Sequence, residues 1–522
     1  MALLDQLTWP WALAFGLAAV VFYYVYPYFT TYSDLRGIPA PFPAQFTNLW
    51  LLYACRRGRR YLTVHEVHKR LGPVVRIQPN HVSIADDDAI QAIYGHGNGL
   101  LKSDFYDAFV SIRRGLFNTR DRAEHTRKRK LVSNTFAPKS VLQFEPYIHQ
   151  NLALFVDRWD ELVARGGGVA RLDCLKWFNY VAFDTIGDLA FGAPFGMLRA
   201  GEDIAEVRVS VDAAPIFASA VEILNRRGEV SATLGCLPPL LPYARWLPDP
   251  FFRRGLAAVK NLAGIAIARV KDRLERPPDI HRRDLLALLQ EGRDDKGEPL
   301  GFEELAAEAL TQLIAGSDTT SNSSCALLYH VARTPGVLAK LQAELDAAVP
   351  SAGADEEEDD EAKVPAYEAI RQLPYLQAVI NETLRVHSTS GIGLPRAVPA
   401  GTAGVTIGGR RYGPGTVLSV PTYSIHHARA IWGADADAFR PERWLGPGLP
   451  TERQRAAFVP FSHGPRACVG RNVAEMEMKM IVATWARRYR VALRRPADEL
   501  RTREGFLRKP LGLDIEVSRR RP

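Results

Sequence analysis

One cysteine stands in a setting that could make it a reagent or a metal ligand. Cys468 follows the loop FSHGPRA, which begins at Phe461, and precedes a run with helical periodicity from Asn472 to Arg487. At the amino terminus of a helix, free N–H groups and the helix dipole favour a thiolate. Gly464 and Gly470 flank the cysteine, and because they lack a Cβ the backbone can turn tightly and approach a flat group.

The other side chains of this loop and the remaining cysteines sharpen this interpretation. Arg466 can reach an anionic group by a bidentate contact, and Phe461 supplies an apolar wall. The other thiols are few and widely spaced, so we expect buried free cysteines in a reducing compartment rather than a disulfide framework. They are Cys55, Cys174, Cys236 and Cys325.

A short polar run lies inside a long predicted helix, roughly 302–334. Asp318 and Thr319 belong to its sequence AGSDTT, and apolar spacing resumes after it, which argues against a helix end. At 1.5 Å per residue such a helix is about 50 Å long and crosses a whole domain. Hydroxyl side chains can bond back to the preceding turn, so we expect a local distortion of the helix at this point.

Together with two further motifs, these residues resemble the cytochrome P450 family of haem-thiolate monooxygenases. The cysteine loop matches the family pattern F-x-x-G-x-R-x-C-x-G at every fixed position, and E-x-x-R (Glu382, Arg385) and the PERW stretch with Arg443 follow in the family's order. The resemblance implies a mainly α fold with small β-sheets, in which those three residues form a buried structural ion network. It also implies haem b (iron protoporphyrin IX), with Cys468 as the thiolate ligand of the iron.

The same resemblance assigns roles to further side chains. Asp318 and Thr319 would deliver protons to dioxygen, whose O–O cleavage the thiolate favours. Cations and N–H donors would bind the haem propionates, with a histidine where the family usually has tryptophan; surface salt bridges are the alternative role for His125 and Arg129. The expected cofactor-binding residues are His125, Arg129, Arg396, Phe461, Arg466, Cys468 and Gly470.

Four segments are similar to the fungal benzoate para-hydroxylases (benzoate 4-monooxygenases), a subfamily of these enzymes. They are FYDAF from 105, SIRRGLFN from 111, FGAPFG from 191 and HSTSGIGLPR from 387. The similarity implies hydroxylation of a small aromatic acid, above all benzoate to 4-hydroxybenzoate; hydroxylation or O-demethylation of other aromatic acids or phenylpropanoids is the alternative. A pocket for such an acid needs apolar walls and a few donors for the carboxylate. The expected donors are Arg113, Arg114, Ser388, Thr389 and Ser390, and the expected walls are Phe117, Leu313, Ile314, Ala315 and Ile392.

A redox partner also follows from the resemblance. We expect electrons from NADPH through NADPH–cytochrome P450 reductase, with the basic run Arg127–Lys130 as a candidate docking patch. A haem-thiolate peroxide isomerase or lyase would need no reductase. A non-catalytic haem sensor or carrier would need neither a substrate pocket nor the Asp318–Thr319 pair.

The elements that must position these residues can be outlined from composition and periodicity. The chain has 522 residues, 47% hydrophobic and 24% charged, which excludes wholesale disorder. Its formal charge of +8 is diffuse and fits an acidic partner or an anionic membrane, with no sign of nucleic-acid binding. We expect strands at 74–78 and 81–85, helices over most of 120–345, and a strand-rich patch over 395–420. The expected division is a membrane anchor over 1–30, a proline-rich hinge and linker over 31–55, and a catalytic domain over 56–522.

The amino-terminal segment reads as a membrane anchor. Trp9 to Phe29 carries no charge, is long enough to span about 30 Å of hydrocarbon, and has aromatic residues at both ends. A cleaved signal peptide is less favoured, because Asp5 is the only charge before the span. Downstream arginines predict a single-pass protein with a cytosolic body, and the resemblance implies the endoplasmic reticulum membrane. The IPAPFP segment from Ile38 predicts a stiff extended hinge, and the acidic run 355–361 a solvated loop.

Overall fold

The computed structural model describes residues 2–208, 214–276, 282–293, 297–349 and 363–520. Its fold is mainly helical with small sheets, as predicted, and the acidic run 355–361 lies outside the described residues. The helices are α1 (Ala2–Phe29), α2 (Leu49–Arg56), α3 (Arg60–Leu71), α4 (Asp88–Tyr94), α5 (Arg122–Ser133), α6 (Pro138–Val141), α7 (Glu145–Arg165), α8 (Cys174–Phe191), α9 (Met197–Ala200), α10 (Ala220–Gly235), α11 (Pro250–Glu275), α12 (Leu285–Glu291), α13 (Phe302–Arg333), α14 (Val337–Ala348), α15 (Tyr367–Ile370), α16 (Pro374–His387), α17 (Thr422–His426), α18 (Arg429–Trp432), α19 (Glu452–Ala457) and α20 (Arg471–Arg488).

The strands are short and form separate small sheets. They are β1 (Val74–Gln78), β2 (His81–Ile84), β3 (Leu101–Lys102), β4 (Ala170–Asp173), β5 (Ala205–Val207), β6 (Ile216–Ala218), β7 (Arg396–Ala397), β8 (Val405–Ile407), β9 (Arg410–Tyr412), β10 (Val417–Ser419), β11 (Tyr489–Leu493), β12 (Thr502–Glu504), β13 (Arg508–Pro510) and β14 (Asp514–Arg519). The largest sheet has the order β1-β2-β10-β7-β3, antiparallel except where β10 runs parallel to β2. A second has the order β11-β14-β4, and β5-β6, β8-β9 and β12-β13 form two-stranded ribbons.

Helix α13 is the central element of the helical core. It contacts α8, α11, α16 and α20, so its residues are buried on most sides. Acidic Glu303 and Glu304 occupy its first turn and basic Arg333 its last, an arrangement that complements the helix dipole. A helix held in this way can present a few side chains to an interior site with little freedom to shift.

The amino-terminal helix projects from this body. Residues Trp11–Phe29 of α1 are mostly exposed, none of them is buried or charged, and the span is long enough to cross a membrane, which supports a single-pass anchor. In the last turn of α1 the Tyr28 ring packs on Phe46, with the ring centroids 5.0 Å apart. The predicted stiff extended hinge is wrong in part: residues 42–46 form turns, in which the Ala44 N–H donates to Pro41 O over 2.7 Å.

Candidate active site

Cys468 lies just before α20, as the sequence predicts. Gly470 is the N-cap residue of that helix, which begins at Arg471. The Cys468 N–H donates to the Phe461 carbonyl oxygen over 2.9 Å, and this bond closes the loop into a compact turn. The Cys468 side chain is a free thiol and is exposed, so its sulfur can bind a ligand. The other four cysteines are buried free thiols, as predicted.

Contacts with α5 and with the end of α4 help to hold this loop against the rest of the protein. Arg129 on α5 donates to the Ala467 carbonyl oxygen over 2.7 Å. Gly464 has a φ of +70°, and a Cβ there would collide with the carbonyl oxygen of Tyr94 at the end of α4. Only glycine permits both that conformation and that approach, so its place in the motif has a local structural cause.

The sequence predicts that the helix terminus favours the thiolate form of Cys468, but the folded polypeptide by itself favours the neutral thiol. Although the sulfur faces an opening, the surrounding protein raises the pKa of the thiol, since desolvation disfavours its charged form. The Gly470 N–H and the charges of Arg129 and Arg471 lower this pKa but are outweighed. A bound metal cation would supply the missing stabilisation, because a coordinating thiol is deprotonated outright.

A group of cations lies near this loop. The register of the largest sheet places Lys102 on β3 directly opposite Arg396 on β7, an arrangement of like charges that is destabilising by itself. His125 on α5 is buried in the same group. Its pKa is lowered to about 3, first by burial and then by the charges of Arg466, Lys102, Arg129 and Arg396. A neutral His125 ring keeps one N–H to donate, as expected for its position in the family motif.

The cation group has no acid of its own. Within the described chain, no carboxylate forms an ion pair with Lys102, Arg129, Arg396 or Arg466, and the Arg396 Nη2 is buried without a hydrogen-bond partner. These cations bond instead to neutral oxygens, as when Arg466 donates to Thr119 O over 2.6 Å. A group bearing two carboxylates would offset this charge. The residues therefore fit haem, whose propionates would meet the cations while its iron meets the sulfur.

On helix α13, Ala315 and Thr319 lie about one turn apart on the same face, here called the open stripe, and Asp318 lies on the adjacent face. Ala315 is exposed in the middle of a helix that is otherwise largely buried, so this stripe borders open space. The Thr319 hydroxyl donates to Ala315 O over 2.6 Å, which is the predicted back-bonding. The predicted distortion is not seen, because α13 is a continuous α-helix from Phe302 to Arg333. A carboxyl next to a hydroxyl at such an opening can hold and pass protons.

Glu382, Arg385 and Arg443 form one buried network. Arg385 donates to both Glu382 carboxylate oxygens, over 2.9 and 2.8 Å, and both side chains are fully buried. Arg443 Nε lies 3.3 Å from Glu382 Oε1, and Trp444 Nε1 donates to Oε2 over 3.0 Å. Arg385 also donates to the carbonyl oxygens of His426, Ala436 and Ala438. The network ties α16 to the segment around PERW and so steadies the core beneath the cysteine loop.

The residues predicted to hold a substrate carboxylate have other partners. Arg113 and Arg114 are 45% and 44% exposed and pair with Glu304 (3.7 Å) and Asp107 (2.7 Å), so both lie at the surface. Ser388 is buried, where its hydroxyl bonds Arg385 O over 2.7 Å and His426 Nδ1 over 2.8 Å. The Thr389 hydroxyl pairs with that of Ser323 over 2.8 Å, and Ser390, which is less buried, follows it in the same turn. These four groups therefore already have protein partners, so the structure gives them no support as carboxylate donors, and their contact with a substrate stays a prediction.

The predicted wall residues divide into two groups. Leu313 is fully buried in the helical core and lies about 200° around α13 from Ala315, so it faces away from the opening. Ile392 is also buried, among the aromatic side chains of 105–109. Phe117 is half-buried, and its ring packs against Phe506 with the centroids 5.3 Å apart. Ala315 and Phe117 thus remain candidates for contact with a substrate.

The basic run Arg127–Lys130 is not the docking patch that the sequence predicts. Lys128 is 2% exposed and bonds Glu304 over 2.6 Å and Glu308 over 3.1 Å. Arg127 pairs with Glu124 and Glu304. Glu304 and Glu308 of α13 pair with Arg127 and Lys128, so this half of the run faces inward, and within the run only Lys130 is exposed.

Comparisons with known proteins give the family. The cytochrome P450 family model matches residues 38–517. The chain is 58% identical over 521 residues, 98% of each chain, to an Aspergillus niger protein named benzoate 4-monooxygenase bphA. It is 31% identical over 517 residues to the cytochrome P450 monooxygenase gsfF of Penicillium aethiopicum (97% of this chain, 98% of the relative), and 30% over 496 residues to cicH of Emericella nidulans (93% of each). The cysteine loop, the cation group and these matches agree: the chain belongs to the cytochrome P450 family and is a haem-iron monooxygenase that requires dioxygen, a substrate and a redox partner.

Proposed function

We propose that this chain is a membrane-anchored haem b monooxygenase that hydroxylates benzoate to 4-hydroxybenzoate. The observation that carries the proposal is the 58% identity, over 98% of both chains, to the Aspergillus niger protein named benzoate 4-monooxygenase. The site geometry is consistent with it, because a cavity beside Ile314 and Asp318 of α13 is lined by the cation Arg227 and by Phe506, whose ring packs against Phe109 and Phe117. Such a pocket suits a small, flat and anionic substrate.

The chain's residues divide the work between cofactor and substrate. Cys468 would hold the iron, and Arg129, His125, Arg396, Arg466 and Lys102 would hold the propionates. Haem ligated in this way supplies the activation of dioxygen. Lys102 was not predicted, because its place in the group depends on strand register rather than on any local motif.

Proton delivery would fall to Asp318 and Thr319. Burial raises the pKa of the Asp318 carboxyl, while the charges of Lys509 and Arg227 lower it. A carboxylate whose pKa is raised takes up a proton more readily from its surroundings, so Asp318 can collect protons and pass them on. The Thr319 hydroxyl, which donates to Ala315 O in this structure, would turn toward the open side of α13 to pass that proton on.

The electron source and the membrane are part of the proposal. Helix α1 would anchor the protein in the lipid bilayer of the endoplasmic reticulum, and NADPH–cytochrome P450 reductase would supply electrons. A cleft of about 280 Å³ opens beside Cys468, lined by Arg129, Ser133, Phe136 and Arg471. Exposed Arg471 also lines it, and exposed Lys130 and Lys139 lie one and two residues after its lining residues Arg129 and Ala137, so these cations would attract an acidic partner surface.

An optical titration of the purified protein with benzoate tests the substrate. We expect a shift of the haem Soret band, followed by formation of 4-hydroxybenzoate that stops when reductase, NADPH or dioxygen is withheld. Cyclohexanecarboxylate, which has the charge but not the flat ring, is the matched control and should bind weakly. No shift with benzoate would contradict the proposal, and turnover without reductase would favour a peroxide isomerase or lyase. Preferential turnover of a methoxylated or larger aromatic acid would replace benzoate with that substrate.

A further inference from the structure

A small cavity lies between α10, α13 and the ribbon β12–β13. Asp318 of α13, Arg227 of α10 and Lys509 of β13 line it together. Its apolar lining comes from Leu224, Ile314, Phe506 and Leu507. The cavity measures about 30 Å³, which is room for about two water-sized groups and so for the two oxygens of a carboxylate. Ile314 and Asp318 are one residue before Ala315 and Thr319, so the cavity adjoins the open stripe of α13.

The charges of this cavity do not balance. Arg227 and Lys509 are cations, and within the described chain neither has a carboxylate within 4.0 Å. The Arg227 Nε is buried without a hydrogen-bond partner, although its Nη2 donates to Phe109 O over 2.9 Å. Glu229, the next acid on α10, is already paired with Arg503 over 2.7 Å. With Asp318 as the single acid in the lining, the cavity has an excess of one positive charge.

An aromatic wall adjoins the two cations. The Arg227 guanidinium lies 5.2 Å from the centroid of the Phe109 ring. Phe109 and Phe117 each pack against Phe506, which itself lines the cavity, with centroids 5.0 and 5.3 Å apart. Cations next to a stack of aromatic rings form a surface that matches a carboxylate attached to an aromatic ring.

We propose that Arg227 and Lys509 bind the carboxylate of an aromatic acid substrate, with its ring on the Phe117–Phe506 side. The inference rests on the proposed function, because it takes the substrate to be an aromatic acid. In this proposal Arg227 and Lys509 take the role of carboxylate donors that the sequence analysis gave to Arg113 and Arg114, which lie at the surface paired with acids. One substrate carboxylate would neutralise the excess charge and give the orphaned Arg227 Nε an acceptor.

The protonation of these cations is consistent with this role. Burial lowers the pKa of Arg227 to about 10 and also lowers the pKa of Lys509. Desolvation therefore destabilises both charges in the free protein, and an incoming anion would relieve that cost.

The test measures the dissociation constants of benzoate and of neutral benzamide by Soret titration of the haem-loaded protein. A charged hydrogen bond contributes about 1.5–3 kcal/mol, so Arg227→Gln and Lys509→Gln should each weaken benzoate binding by about 10- to 100-fold. Benzamide binding should change by less than about 3-fold, since no charge is lost against it. The conservative variants Arg227→Lys and Lys509→Arg should recover most of the affinity. Arg114→Gln, at the surface, is the control and should match the wild type.

The outcomes separate this inference from the proposed function. If the wild type binds some other aromatic carboxylate but not benzoate, and the Gln variants lose it, the substrate proposal fails and the inference stands. If the wild type binds benzoate and both Gln variants bind it within 3-fold of wild type, the inference is overturned while the function survives. Asp318→Asn provides a second measurement, because removing the competing anion should tighten benzoate binding. Weaker binding in that variant would show that the cations serve Asp318 rather than the substrate.

Discussion

Replacement of Glu382 by glutamine probes the buried network most directly. Its two oxygens accept from Arg385 (2.9 and 2.8 Å), Arg443 (3.3 Å), Trp444 (3.0 Å) and the backbone N–H of Arg440 (3.0 Å). Glutamine keeps one acceptor oxygen, but its NH₂ group would face donors, and the charge that compensates two buried arginines is lost. Breaking a buried ion pair on one side costs about 3–5 kcal/mol, a large share of a typical stability of about 5–15 kcal/mol.

Urea unfolding of the full-length protein, followed by tryptophan fluorescence, measures this loss. Glu161→Gln is the matched control, because Glu161 on α7 also bonds two arginines, Arg158 and Arg165, but at the surface. The free energy of unfolding of Glu161→Gln should fall by less than about 1 kcal/mol. An equal fall in the free energy of unfolding of the two variants would refute the reasoning, because burial of the ion pair would then have no effect on how much it stabilises the fold.

Further predictions concern the sulfur, the proton path and pH. Cys468→Ser should abolish the thiolate-type absorption of the reduced carbon monoxide adduct; persistence of that band would exclude Cys468 as ligand. Asp318→Asn should lower turnover by about 100-fold in steady-state assays while benzoate still shifts the Soret band. Burial raises the pKa of Glu477, which meets Thr320 over 3.1 Å, from 4.5 to about 8. Between these two pKa values the folded state binds one more proton than the unfolded state, so the free energy of unfolding falls as pH rises. In denaturant titrations the free energy of unfolding of Glu477→Gln should therefore match that of the wild type at about pH 5 and exceed it at about pH 9.

Much of the fold was predictable because its signals are local. The long helix 302–334, the strands at 74–78 and 81–85 and the helix after Cys468 follow from periodicity over a few turns, and the structure has them within about one residue. The cysteine loop could be located for the same reason, since its glycines and arginine lie within ten residues of one another. The hinge at 38–43 was less predictable, because proline favours both extended segments and turns.

The site residues show where local patterns stop being informative. The basic run Arg127–Lys130 looked like a solvated surface, but Glu304 and Glu308 of α13 draw Lys128 into the interior. Ser388 looked available to a substrate, but His426 takes its hydroxyl. In each case the partner lies more than thirty residues away, so no spacing within the motif could have revealed it.

Residue types and short-range order thus indicated the family, the E-x-x-R pair and the apolar first helix, and predicted the thiolate ligand, because each depends on neighbours in the chain. The folded arrangement settled which charges meet. Strand register set Lys102 against Arg396, and the packing of α10 and β13 on α13 brought Arg227 and Lys509 to Asp318. Electrostatic interactions act through space, and these partners are separated by about one hundred to three hundred residues along the chain, so their meeting depends on long-range packing that no local pattern encodes.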